Sequence, residues 1–225
     1  MLADLLPPGA ACAEYFADLP EAPLFPAEEQ LLGDAVPKRR GEFGTARVAA
    51  RAALAQLGLP PVAVLADPRG VPVWPDGVLG SITHCVGYRG CAVARSAEFA
   101  GLGIDAEPDL PLPPGLSEVI TVPAERRHLA ELARLPGPLG GSGRPAWDRL
   151  LFSAKEAVFK AVFPVSRIEL DFPDVPITVV PGSGTFAAEL PAAVARACGN
   201  RSRHLTGRWL AARGLLLTVV ALGPV

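Results

Sequence analysis

Lysine is nearly missing from this sequence: Lys38, Lys155 and Lys160 are all there is in 225 residues, and arginine supplies the other cationic side chains. Cationic excess is missing too. Lys and Arg total 21 against 23 Asp and Glu, a net charge of −2, which speaks against a nucleic-acid partner, normally met by a basic face. The four cysteines, Cys12, Cys85, Cys91 and Cys198, form no C-x-x-C and no zinc spacing with histidine, so they read as reduced thiols. The longest apolar run, GLLLTVVALGPV, falls short of the roughly 20 residues of a spanning helix and reads as a buried strand. MLADLLPPGAACAEYF is acidic, with no basic n-region, unlike a signal peptide. The expectation is a cytoplasmic protein with no membrane and no nucleic acid. The sequence also lacks a P-loop, a Rossmann fingerprint and a G-x-S-x-G elbow. A phosphate ligand would therefore be held by side chains and metal.

What is present is a globular chain, half hydrophobic and one-fifth charged. Its 25 prolines and 23 glycines are spread along its length, which implies many turns rather than wholesale disorder. Residues 11–36 read as acidic loop. KRRGEFGTARVAARAALAQL reads as a helix ending at Gly58, its apolar stripe formed by Phe43, Ala46, Ala50, Ala53, Leu54 and Leu57. Arg40, Arg47 and Arg51 fall on its other side. Strand signals follow in VPVWPDGVLGSITHC, CAVARS and FAGLGIDAE. Beyond the Pro-rich connector PDLPLPPGLSE come a short helix (PAERRHLAELARL), a loop, and a long helix opening at Trp147. The tail reads as strands: RIELDF, ITVV, TFAAEL, HLTGRWLAARG and LLLTVVAL. The fold class expected is α+β, with two similar lobes. Each would be a mostly antiparallel sheet packed on one long helix, divided as 1–107 and 108–225.

Three stretches could carry chemistry. In GIDAEP, Asp105 and Glu107 are two apart on a strand and so share one face. Two carboxylates this close need positive charge between them, and a hard divalent cation suits them. For the pair alone, a solvated strand end is the commoner situation. In WDRLLFSAKEAVFK, Arg149, Ser153, Glu156 and Lys160 make a polar stripe on an otherwise apolar helix, with Phe152, Phe159 and Phe163 as an aromatic flank. Either this stripe lines a cleft, or Glu156 and Lys160 are an ordinary i,i+4 pair worth about 0.2–0.5 kcal/mol. Lys155, beside the aromatic flank, would have its pKa lowered by desolvation. In GSITHCVGYRG, Ser81, Thr83 and His84 suit anionic oxygens, although a lone histidine is more often structural. Without the elbow, Ser81 and His84 do not make a hydrolase.

In this order, GSITH, GID-x-E and FSAKEAVFK resemble the phosphopantetheinyl transferases, and RRGEFGTARVAARAAL is similar to their two-lobed Sfp-type group, most closely its EntD-like branch. The resemblance spans about residues 38–165. It implies two α+β lobes with coenzyme A in the cleft between them. It implies transfer of the 4′-phosphopantetheine arm to a serine of an apo acyl, peptidyl or polyketide carrier protein, with release of adenosine 3′,5′-bisphosphate. Mg2+, or Mn2+ in its place, would be held by Asp105, Glu107 and Glu156, with the position opposite Ala106 left to water or Glu156. Lys155 would touch phosphate or act as base, and Glu156 is the rival base. Lys160, Ser81 and His84 would bind phosphate oxygens, and Arg39, Arg40 and Arg47 the 3′-phosphate end, with Arg69 a further contact. The aromatic flank and the loop from Leu135 to Ala146, with Arg126, Arg127, Arg134 and Arg144, would dock the carrier. A monomer serving secondary metabolism is expected. The rival readings are a Mg2+-dependent phosphohydrolase of coenzyme A or a nucleotide, and a catalytically silent coenzyme A-binding module.

Overall fold

A computed structural model describes residues 1–135, 144–199 and 202–224. In chain order the elements are β1 (Ala11–Tyr15), α1 (Pro26–Leu32), α2 (Pro37–Gln56), β2 (Leu65–Ala66), β3 (Pro72–Val73), β4 (Val78–Cys85), β5 (Tyr88–Arg95) and β6 (Gly101–Pro108), then α3 (Leu116–Ile120), α4 (Pro123–Leu132), α5 (Trp147–Ser166), β7 (Ile177–Val180), β8 (Thr185–Glu189), α6 (Ala192–Ala197), β9 (His204–Ala212) and β10 (Leu215–Leu222). The fold is mixed α+β, and the strand pairings are antiparallel.

Two sheets matter. The first runs β1-β5-β4, and the second runs β6-β10-β9-β8-β7. β2 and β3 make a separate ribbon. The chain begins α2 with Pro37, whose missing N–H costs nothing in the first turn, and leaves it at Gly58 with φ +74°. Ala49, Ala50, Ala53 and Leu54 bury themselves against β1 and β5 around Cys91 and Val93. In the second sheet the apolar run becomes β10, a central strand between β6 and β9. Leu150, Ala154, Ala157, Val158 and Ala161 of α5 cover one face of it.

A third core joins the two sheets. Tyr88, Ala92 and Ala94 of β5 pack with Leu102, Ile104 and Ala106 of β6 and with Leu215, Leu217 and Val219 of β10. Here β4 lies beside β6, yet the two belong to different sheets. Side-chain hydroxyls stand in for the missing ladder: Ser81 Oγ accepts the Ile104 N–H and Thr83 Oγ1 accepts the Ala106 N–H, both at 3.1 Å.

Several expectations need correction. The backbone partner of β6 is β10, so β6 belongs to the second sheet. RIELDF is not a strand; it opens at Arg167 in the left-handed region, follows an irregular path and enters a 3-10 turn at Phe172–Asp174. The stretch 11–36, read as loop, contains β1 and α1, and α6 had no counterpart in the sequence reading. The sheets have three and five strands, so they are not equal in size. Residues 136–143 of the expected docking loop lie outside the described residues. Among the described residues no helix is long and apolar enough to cross a membrane.

Candidate active site

The site begins with glycine. A side chain at Gly103 would put its Cβ 2.0 Å from the Ala157 carbonyl oxygen, and one at Gly101 would put it 2.4 Å from that of Ala161. With only hydrogen there, α5 lies directly on β6. Alternation along β6 sends Ile104 and Ala106 into the joining core and Asp105 and Glu107 to the other face. The close approach brings Glu156 and Lys160 of α5 to those carboxylates. Lys160 Nζ donates to Asp105 Oδ1 at 2.6 Å. Arg149 Nη1 donates to Glu107 Oε2 at 2.8 Å. Arg149 also holds the carbonyls of Leu110 and Pro111, which ties the Pro-rich connector to the start of α5.

The charges do not cancel. Burial pushes the pKa of Glu156 up, Lys160 pulls it back, and the negative charges of Asp105 and Glu107 push it up again. Glu107 is likewise raised, by burial and then by Asp105, against the pull of Arg149. Asp105 is only 5% exposed. Its Oδ1 accepts from both Thr83 and Lys160, while its Oδ2 is buried with no hydrogen-bond partner. A buried, unsatisfied carboxylate oxygen flanked by two further carboxyls fits a hard divalent cation. Among the described residues no three acidic, histidine or cysteine side chains form a ready cage. Mg2+ needs none, since it accepts one or two carboxylates with water and substrate phosphate.

From these carboxylates a cleft of about 560 Å³ runs towards α2. Arg39, Phe43, Arg47, Arg69, Ser81, His84, Glu156, Phe159 and Lys160 are among its walls. Its far end is basic. The Arg47 guanidinium lies 4.0 Å from the Phe43 ring centroid, and its buried Nε lacks a partner. Burial lowers the pKa of Arg47. Helical spacing places Arg47 on the side of α2 away from the apolar stripe; the structure buries it. Arg39 Nη1 lies 3.4 Å from His84 Nε2, the contact expected if a neutral imidazole accepts from arginine. Desolvation by the cleft walls comes first in lowering the His84 pKa, Glu42 opposes it, and Arg39, Arg89 and Lys160 add to it. The side chain as a whole is nonetheless exposed, so the shift bears on what the ring will bind more than on stability. Among the described residues, then, Arg47, whose buried Nε has no partner, lines the same cleft as Lys160, which is bonded to Asp105, whose buried Oδ2 has none either.

Other expected residues are placed differently. Arg40 turns outward to Glu29, at 2.6 Å, and to the Gly33 carbonyl. Ser153 does not line the cleft; it is fully buried and shares a hydrogen bond of 2.9 Å with Thr218 of β10. The aromatic flank splits: Phe159 stacks on Phe163 at 4.9 Å, whereas Phe152 faces Phe172. Lys155 is buried, its ammonium held by Glu125 at 2.8 Å and by the carbonyls of Phe172 and Val175. Burial does lower its pKa, with Glu125 opposing. Arg69 lines the cleft but also reaches Glu169 at 3.2 Å. Ser81 and His84 form no nucleophile–base pair, because Ser81 Oγ meets β6 and His84 meets Arg39.

Sequence reasoning missed the partners. Glu125 gives no signal beyond V-P-A-E, where it caps α4 through the Val122 N–H; its pairing with Lys155 exists only in three dimensions. Phe43, read as core, is the ring on which Arg47 rests.

A cleft walled by Arg39, Arg47 and Arg69 from one side and by Glu156 and Lys160 of α5 from the other suits an anionic ligand. Comparison with known proteins makes this specific. A family model for the 4′-phosphopantetheinyl transferase N-terminal domain matches residues 27–94, and that for the 4′-phosphopantetheinyl transferase superfamily matches residues 101–212. The chain is 50% identical to 4′-phosphopantetheinyl transferase Svp of Streptomyces mobaraensis, over 98% of this chain and 89% of that one. It is 42% identical to 4′-phosphopantetheinyl transferase PptT of Mycobacterium tuberculosis, over 94% and 92%. A more distant relative, enterobactin synthase component D of Salmonella typhi, is 32% identical over 55% of this chain and 48% of its own. The chain belongs to the 4′-phosphopantetheinyl transferase superfamily and is a transferase of that type.

Proposed function

We propose that this transferase moves the phosphopantetheine arm of coenzyme A onto the serine hydroxyl of an apo carrier protein, with a divalent cation at Asp105, Glu107 and Glu156, and releases adenosine 3′,5′-bisphosphate. The observation that carries this reading is a cleft walled by Arg39, Arg47, His84, Glu156 and Lys160, in which Lys160 is bonded to the buried Asp105, whose Oδ2 has no partner among the described residues. Arg39, Arg47 and His84 would take the 3′-phosphate; arginine forks suit phosphate oxygens. Lys160, 27% exposed at the cleft wall, would turn its remaining donors to the pyrophosphate. A second cavity of about 210 Å³ shares Glu156 and Phe159 with the first and is walled by Leu170, Phe172 and Val175. Phe159, Leu170, Phe172 and Val175 give it an apolar side that suits the pantetheine arm, and Lys155, Glu156 and Asp171 complete its lining. The scissile phosphate would then lie beside Glu156, where the two cavities meet.

Phosphoryl transfer needs positioning and charge neutralisation more than covalent help. Mg2+, or Mn2+ in its place, would supply positive charge to the transferred phosphoryl group and to the 5′-phosphate of the leaving adenosine 3′,5′-bisphosphate. The rest falls to the chain. Glu156, which borders both cavities, is placed to take the proton of the attacking serine hydroxyl. Lys155 has its ammonium engaged by Glu125 and two carbonyls, which favours Glu156 as the base. On this reading one lobe comprises α2 with the first sheet and the other α5 with the second, divided before Gly101. A single chain completes the cleft, which supports a monomer. Arg126, Arg127, Arg134 and Arg144 remain the positive charges proposed to meet an acidic carrier.

The test is mass spectrometry of an apo carrier protein with this protein, coenzyme A and Mg2+, with and without EDTA. A gain of one phosphopantetheine on the serine, abolished by EDTA, is expected. No gain on a peptidyl, a polyketide or a fatty-acyl carrier would overturn the reading. Cleaved coenzyme A in the same tube would then point to a hydrolase.

A further inference from the structure

We infer that Thr83 is a positioning residue that orients the Asp105 carboxylate towards the cation, an inference resting on the reading of Asp105 as a metal ligand. Thr83 lies on β4, in the other sheet from Asp105, and is 3% exposed. Its hydroxyl has one proton and two acceptor lone pairs. The Ala106 N–H occupies a lone pair at 3.1 Å. The proton goes to Asp105 Oδ1, also at 3.1 Å. One hydroxyl therefore reads the backbone of β6 and a side chain of β6 together.

The consequence is orientation. The terminal torsion of an aspartate is broad and roughly two-fold, so Lys160 alone would not decide which way the carboxylate plane lies. Lys160 reaches the carboxylate from the end of a long, partly exposed side chain, whereas the Thr83 hydroxyl is carried on the Cβ of a strand residue. Together they occupy Oδ1, and Oδ2 is the oxygen left without a partner. Ser81 makes the same kind of stitch two residues away, to the Ile104 N–H, but reaches no carboxylate. Thr83 thus adds to the seam a grip on the site.

Mn2+ titration followed by electron paramagnetic resonance tests this, with coenzyme A present and no carrier protein, so that no turnover occurs. Thr83→Val keeps the shape and loses the hydroxyl. It is expected to weaken Mn2+ binding about tenfold or more, the usual cost of losing a group that orients a metal ligand, while Thr83→Ser stays within about threefold of the parent. Metal-free coenzyme A binding by calorimetry should shift little, which a merely structural loss would not allow. Should Thr83→Val lack a cooperative thermal transition, Thr83→Ala is titrated in its place. A folded variant without the hydroxyl that binds Mn2+ within about twofold of the parent overturns the inference, well inside the effect expected. If neither variant folds, Thr83 serves the seam alone and the inference also fails. A parent protein that binds no Mn2+ would instead overturn the metal reading beneath it.

Discussion

Glu156 shows how much one residue carries. It extends from α5 onto the carboxylates of β6 and borders both cavities. Glu156→Ala should lower turnover at least about a hundredfold while leaving the melting temperature near that of the parent, because it removes charge stabilisation needed only in the transition state. Steady-state kinetics beside thermal melting check this, and turnover within tenfold of the parent would refute the role. His84 makes a second test. Its folded pKa lies below the ordinary 6.5. In the window between those values the unfolded chain binds more protons, so any stability from neutral His84 is lost as pH falls through it. A bound phosphate favours the imidazolium. NMR titration of the ring should therefore give a midpoint below 6.5 in the free protein, rising when coenzyme A is added. The carboxylates were legible in the sequence because β alternation joins Asp105 to Glu107. The role of Lys155 was less so, because Glu125, which holds it, lies far away in the chain.

At the scale of elements, the decisive contact is α5 on β6. Gly103→Ala would press a methyl group against the Ala157 carbonyl, where neither backbone can yield cheaply. It should cost about 1–3 kcal/mol or more and lift Glu156 and Lys160 from Asp105. Urea denaturation and activity should fall together, and a fully stable, fully active variant would refute this account. The docking of α4 rests on a buried charge pair. Glu125 and Lys155 side chains are each 2% exposed, and Glu125 also caps the Ile177 N–H at the start of β7. Breaking such a pair strands a charge, so Glu125→Gln should cost about 3–5 kcal/mol, read as a lower urea midpoint. Helix α5 was legible from its apolar periodicity, and β10 from its continuous apolar run. β1 was not: ACAEY is short and buries only Ala11 fully, and its strand character comes from pairing with β5. RIELDF alternates well enough to be a strand, yet the β7 edge beside it is capped by side chains of α4, Glu125 and His128.

The molecule as a whole is held by the core that Tyr88, Ile104, Leu217 and their neighbours share across both sheets. Two lobes that met only at a polar cleft would melt separately. These should unfold in one calorimetric transition, with calorimetric and van't Hoff enthalpies in agreement; two resolved endotherms would refute that. The scarcity of lysine has a consequence at this scale too. Lys155 is buried in its pair with Glu125 and Lys160 is held on Asp105 in the cleft, whereas Lys38 stands exposed at the start of α2. Among the side chains, amine-reactive reagents have one open address. A dye, a biotin or a surface coupled at Lys38 would label the protein uniformly and leave α5 and its carboxylates unmarked.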